Sequence, residues 1–226
     1  MIRISFIGID KKTDIERLLK IAEKYPEVEF GFLCSESVTG TNQNNRYPAL
    51  ILLQKLKNKN VNLSLHVCGK LARTVCQTGN FDEVKKFVGQ YFDMFNRIQL
   101  NVVGSRFKEL ITDTCGKQIV IQTNLSEPKS KQTYEMFREA NIDNIVFLSD
   151  NSGGKGLEVE FDYFEGVDYQ GFAGGLNPEN ILERKEEIDI LWEKDYWLDM
   201  ESGVRTDDWF DLDKVEDICK KVLGER

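Results

Sequence analysis

Eight short apolar runs, each trailed by a stretch with helical spacing, divide this chain from end to end. The runs cover residues 2–9, 28–34, 61–67, 97–103, 118–122, 144–148, 169–173 and 196–200. Between them, apolar residues recur every three or four positions over 13–25, 48–56, 81–95, 105–112, 129–140 and 178–191, and again over 212–222, with a short amphipathic piece over 157–164 after the sixth run. Strict strand–helix alternation implies parallel strands joined by right-handed crossovers. Eight such units use up the chain, so the pattern predicts an α/β protein: a single (β/α)8 barrel domain over residues 1–226. An open doubly wound sheet would carry a glycine fingerprint after its first strand. That position reads GIDKKTD, which does not fit.

Composition narrows the function classes. The net charge of −8 gives a nucleic-acid partner no electrostatic support. No apolar run is long enough to span a membrane, and the first residues do not form a basic-then-apolar signal segment. The five cysteines, Cys34, Cys68, Cys76, Cys115 and Cys219, make no CxxC pair, so a zinc ribbon is not expected. They read as reduced thiols of a cytoplasmic protein.

Two turns near the end of the chain carry a chemical suggestion. The seventh run ends in Gly174-Gly175, followed by Leu176, Asn177 and Pro178. Asn is a good helix N-cap and Pro suits the first helical position, so this reads as strand, glycine turn, helix start. The eighth run ends in Ser202-Gly203. Glycine lets backbone N–H groups approach an anion closely. In barrels of this kind the loops after strands seven and eight often hold a phosphate. The sixth run leads through Ser149 and Asp150 into another glycine-rich loop, NSGGKG, with Gly153 and Gly154. The expected ligand is therefore a phosphorylated small molecule.

These motifs resemble those of the phosphoribosylanthranilate isomerase family. GFAGGLNPEN and WLDMESGVR resemble its seventh- and eighth-strand motifs, and FLSDNSGGKG its sixth-strand end. RIQLNVVG is similar to its QLHG segment, and MIRISFIGID to its opening KICGIT. The resemblance implies a (β/α)8 barrel of tryptophan biosynthesis. It implies an Amadori rearrangement of a phosphoribosyl amine to a ketose, without metal or cofactor. An acid protonates the ribose ring oxygen, and a base then removes the proton from the neighbouring sugar carbon. The acid must hold a proton near neutral pH, which burial or nearby negative charge can arrange.

The resemblance makes Asp150 the acid. It places Asp199 in the substrate pocket and gives Arg46, in the polar loop over 35–45 and its continuation, the far end of the substrate. A guanidinium can bond a carboxylate through two parallel N–H groups. The chain also departs from the family. The base position, a Cys in KICGIT, is Ile7, which cannot take a proton, and the His of QLHG is Asn101. His66, the single histidine, ends the third strand and is the first choice for a replacement base. Cys34, Cys68 and Asp10 are further candidates. Glu201 stands where the family has Ser, and strand alternation from Asp199 turns it toward the anion site. Two other readings fit the same residues: a barrel enzyme of another class, such as an aldolase or epimerase, and a phospho-ligand binding protein that has lost its chemistry.

Overall fold

In the computed structural model, which describes residues 1–226 apart from 42, 103–106 and 154, eight parallel strands close on themselves in sequence order. They are β1 (Ile2–Ile7), β2 (Val28–Cys34), β3 (Asn62–Val67), β4 (Arg97–Leu100), β5 (Gln118–Thr123), β6 (Ile145–Asp150), β7 (Tyr169–Ala173) and β8 (Asp195–Met200). β8 returns to pair with β1 through Ile4 opposite Leu198 and Ser5 opposite Asp199. The expected barrel is thus the observed architecture.

The helical shell is less regular than the alternation predicts. Six α-helices are present among the described residues: α1 (Ile15–Lys24), α2 (Gly69–Thr78), α3 (Asp82–Val88), α4 (Pro128–Ala140), α5 (Ile181–Leu191) and α6 (Leu212–Leu223). The expected helix over 48–56 is a 3₁₀ segment, Leu50–Lys55. The one expected over 81–95 breaks at Gly89, whose φ is +60°, and continues as a 3₁₀ turn. Residues 107–112 are not helical, and the first two residues of the helix expected there lie outside the described ones. Helix α2 was not expected, although Leu71, Ala72, Val75 and Cys76 give it a buried face at helical spacing.

Alternation along each strand sorts the side chains into two layers. Outward residues such as Ile4, Phe6, Phe30, Phe32, Leu65, Ile98, Ile121, Phe172 and Leu198 form one continuous apolar core beneath the helices. Helix α1 shows how that shell is built. Asp14 caps it by accepting from the Glu16 and Arg17 amides at 3.0 and 3.1 Å. Leu18, Ile21 and Ala22 then face the strands, each large side chain contributing roughly 1.5–3 kcal/mol by burial.

The barrel interior is different. Its apolar cluster is small: Val120, Leu148, Ala173 and Trp197, with Val146 and Tyr169 against them. Gly171 makes room for Trp197, because a Cβ there would sit 2.2 Å from the indole Cε2. The Arg97 guanidinium lies over that indole, 4.5 Å from the ring centroid. It also donates to Gln118 Oε1 at 2.9 Å and the Tyr169 hydroxyl at 3.1 Å. A charged arginine thus fills the lower barrel, and its partners offset its desolvation.

Candidate functional site

Because all eight strands are parallel, their C-terminal ends share one face, and there they surround a cavity of about 440 Å³. Of the residues singled out in the sequence, Arg46, His66, Asp150, Gly153, Gly174, Gly175, Asp199, Ser202 and Gly203 all line it. Gly154 lies outside the described residues. Ile7, Cys68, Gln99, Asn101 and Glu201 line the same cavity.

Asp150 is the last residue of β6 and turns inward. Its Oδ1 accepts from the Ser152 amide at 3.1 Å and the Ser152 hydroxyl at 2.6 Å. Its Oδ2 accepts from the Gln122 side-chain amide at the end of β5. Neither Gln122 nor Ser152 was singled out from the sequence. The Asp-x-Ser spacing after the strand was the available signal, since Asp readily bonds the amide two residues on.

Asp199 occupies the equivalent depth on β8, opposite Ser5 of β1 and Ala173 of β7. Its Oδ1 is buried and has no hydrogen-bond partner among the described residues. Desolvation raises its pKa well above the ordinary carboxylate range, partly opposed by the Arg97 charge and reinforced by Glu29, Asp150 and Glu201. Burial therefore makes the Asp199 carboxylate take up a proton more readily than an exposed aspartate would.

His66 is 1% exposed, and its Nε2 shares a 3.1 Å hydrogen bond with the Ser64 hydroxyl. The ring packs over Gly31, where an added Cβ would lie 2.9 Å from Nε2 and 2.7 Å from Ile7 Cδ1. Burial, aided by Arg97, lowers its pKa to about 3. The imidazole is thus neutral at ordinary pH but a poor proton acceptor, which weakens it as the replacement base. The reason lies in its depth, which the sequence did not reveal.

The thiols fare no better as bases. Cys68 accepts from the Asn101 side chain at 3.5 Å, but burial pushes its pKa up to about 11. Burial likewise drives Cys34 upward. Asp10 is fully buried and committed elsewhere. It accepts from Arg205 Nη2 at 3.0 Å, the Phe210 amide at 2.7 Å and the Lys12 amide at 2.9 Å. These bonds tie the end of β1 to a hairpin of β9 (Arg205–Thr206) and β10 (Trp209–Phe210). Asp10 therefore holds the loops together and does not face the cavity.

The glycine turns nest on one another. Gly174 and Gly175 have φ of +128° and +66°, which L side chains adopt only under strain. A Cβ at Gly174 would meet Val159 Cγ2 at 2.6 Å, and one at Gly175 the Glu158 amide nitrogen at 2.5 Å. A Cβ at Gly203 would meet the Leu176 carbonyl oxygen at 2.0 Å. The loop after β6 thus rests on the β7 turn, which rests on the β8 turn. These glycines permit loop packing as much as ligand approach. Beyond the β7 turn, Asn177 Oδ1 caps the chain as expected, accepting from the Glu179 and Asn180 amides, but α5 starts only at Ile181. Ser202 begins a 3₁₀ turn, Ser202–Val204.

Arg46 reaches across the mouth from the β2 loop. Its Nη1 donates to Glu201 Oε1 at 2.7 Å and its Nε to Asp208 Oδ1 at 2.9 Å, with Ser202 Oγ 3.4 Å from Nη1. Glu201 faces the cavity, as alternation from Asp199 implied, and Arg46 neutralises it. Among the described residues, no cluster of three or more His, Cys, Asp or Glu is arranged to hold a metal ion. No helix there is long and apolar enough to cross a membrane.

Comparison with known proteins adds a family. The family model described as N-(5'phosphoribosyl)anthranilate (PRA) isomerase matches residues 56–221. The protein named N-(5'-phosphoribosyl)anthranilate isomerase from Thermoanaerobacter sp. (strain X514) is 27% identical over 236 residues, covering 100% of both chains. One of the same name from Acetivibrio thermocellus is 30% identical over 124 residues, 52% of this chain and 54% of that one. Among solved structures, phosphoribosyl anthranilate isomerase from Thermotoga maritima superposes with a TM-score of 0.58 at 17% identity, covering 100% of both chains. A crystal structure of such an isomerase in complex with reduced 1-(o-carboxyphenylamino)-1-deoxyribulose 5-phosphate gives the same TM-score, identity and coverage. These structural likenesses speak to the fold.

Proposed function

The chain belongs to the phosphoribosylanthranilate isomerase family, and from that premise we propose that its barrel mouth binds a phosphorylated sugar amine and converts it from aldose to ketose. The observation that carries this reading is one cavity lined by Asp150 and Asp199 and by the glycine turns after β6, β7 and β8. The phosphate would sit against the backbone at Gly153, Gly174, Gly175, Ser202 and Gly203. Amides at such turns, together with the first turn of a helix, favour negative charge.

Two proton transfers are required. Asp150, at the position resembling the family's acid, protonates the ring oxygen as the carbon–oxygen bond of the ring opens, giving an imine. Ile7 cannot complete the reaction, and His66 is too weakly basic. Asp199 takes the second transfer, removing the proton from the neighbouring sugar carbon to give the enolamine, which tautomerises to the ketose. Three features support it. Its strand adjoins Ile7's strand, it lines the same cavity, and desolvation makes its carboxylate more basic than an ordinary aspartate. Its charge is also coupled to that of Asp150. A positioned acid or base typically contributes about 10²–10⁴-fold.

The test is to assay wild type, Asp150→Asn and Asp199→Asn with N-(5'-phosphoribosyl)anthranilate and follow product formation. Wild-type turnover, with both variants reduced at least a hundredfold, supports the assignment. If turnover survives in Asp199→Asn, another group is the base. If wild type binds the phosphate ester without turnover, the barrel is a phospho-ligand binding protein.

A further inference from the structure

The Arg46–Glu201 pair bears on which substrate this mouth accepts. Arg46 is the cation that reaches over the cavity from the β2 loop, and its guanidinium is already engaged by two carboxylates. Glu201 holds Nη1 at 2.7 Å and Asp208 holds Nε at 2.9 Å. Both members of the first pair are about 30% exposed, at 29% and 31%, so solvent does not fully screen it. Asp208 is fixed by its hairpin turn, where Asp207 and Asp208 have φ of +50° and +60° and the Asp208 carbonyl accepts from Arg205 at 2.7 Å.

Glu201 also projects its charge inward. It adds to the upward pKa shifts of Asp199, Cys68 and Tyr47, which all line the cavity. A ligand carboxylate arriving at Arg46 would therefore displace Glu201 and leave that charge unpaired beside it, with Asp208 nearby. Like charges brought together in this way exclude a ligand more effectively than a lost contact does.

We infer that Glu201 is a specificity-determining residue that occupies Arg46, so that the mouth favours phosphorylated sugar amines whose aglycone carries no carboxylate. The inference rests on the function proposed above. It concerns the end of the ligand away from the phosphate, which the glycine turns would hold in either case.

Two probes separate the possibilities: reduced 1-(o-carboxyphenylamino)-1-deoxyribulose 5-phosphate, and the same compound with phenyl in place of carboxyphenyl. Affinities of both are measured by calorimetry for wild type, Glu201→Gln and Glu201→Gln/Asp208→Asn. In wild type the carboxyl should change affinity by less than threefold or weaken it. In Glu201→Gln the carboxylated probe should gain at least tenfold over the other, and the double variant should widen the gap. A tenfold preference for the carboxylated probe in wild type would overturn the inference. So would equal affinities in all three proteins. If neither probe binds any of the three while their circular dichroism remains native, the functional reading falls and takes this inference with it.

Discussion

The two sides of the barrel mouth present different kinds of groups. The β6–β8 side presents Asp150, Asp199 and three glycine turns stacked on one another. The β1–β4 side presents Ile7, Leu33, a buried neutral His66 and a thiol raised to about 11. An anion site made of backbone depends on turns that also pack the loops, so it changes only if the fold changes. Proton-transfer chemistry depends on single side chains, and one substitution on β1 is enough to remove it. Under the proposed function, the glycine frame on the β6–β8 side would hold the ligand, and the base would come from a carboxyl on that same side rather than from β1.

The largest effect that would break this contrast is in turnover. With Asp199 as the base, Ile7→Cys should change kcat by less than tenfold, while Asp199→Asn lowers it by about 10²–10⁴-fold, or about 3–5 kcal/mol of barrier. A hundredfold gain in Ile7→Cys would return the base to β1. The pH profile sharpens the point. A base must be deprotonated to act, so kcat/KM should rise with pH through the elevated Asp199 pKa, and that limb should vanish in Asp199→Asn.

Next comes acid stability. The pKa of His66 is lowered on folding from 6.5 to about 3. Its contribution is present above pH 6.5 and is lost as pH falls, because the unfolded chain takes up the proton first. The slope should be about 1.4 kcal/mol per pH unit between these limits. Denaturant unfolding at pH 7 and pH 4.5 should show this slope in wild type and lose it in His66→Gln. An unchanged slope would mean that the ring is accessible and His66 could still serve as a base.

Asp199 should behave in the opposite sense. Its folded pKa is raised above 3.8, so its contribution is greatest at low pH and declines as pH rises past the unfolded value. Asp199→Asn should therefore gain stability on wild type as pH goes from 4 to 8. A variant less stable than wild type at pH 8 would show that the carboxyl is ionised and well paired.

The smallest effect concerns the anion. Phosphate at a hundredfold excess over its Kd should stabilise the wild type by about 2.7 kcal/mol. Ser202→Asp should remove most of that increment, since the side chain is exposed and adds charge without disturbing packing. Equal phosphate-dependent stabilisation in both proteins would place the anion elsewhere.

The barrel was legible because it follows from periodicity. Eight apolar runs and their spacing imply parallel strands whatever the details, and Asp150, Gly174 and Ser202 then share an end by topology. Helices were less legible where local signals were weak, as at the 3₁₀ segment of Leu50–Lys55, or where a helix follows its strand almost without a loop, as at α2. The site was legible in membership but not in state. His66, Asp199 and Asp10 all read as titratable groups near strand ends. Only the folded packing makes one a weakly basic ring, one a carboxyl with raised proton affinity and one a loop anchor.

Sequence alone determined strand order, the end at which the loops gather and the residue types available there, because those depend on hydrophobic spacing and chain direction. Tertiary structure decided which of those residues are charged and which are already engaged. Desolvation depends on depth and pairing on long-range contacts, and neither is local in the chain: Arg46 meets Glu201 and Asp208 from 155 and 162 residues away.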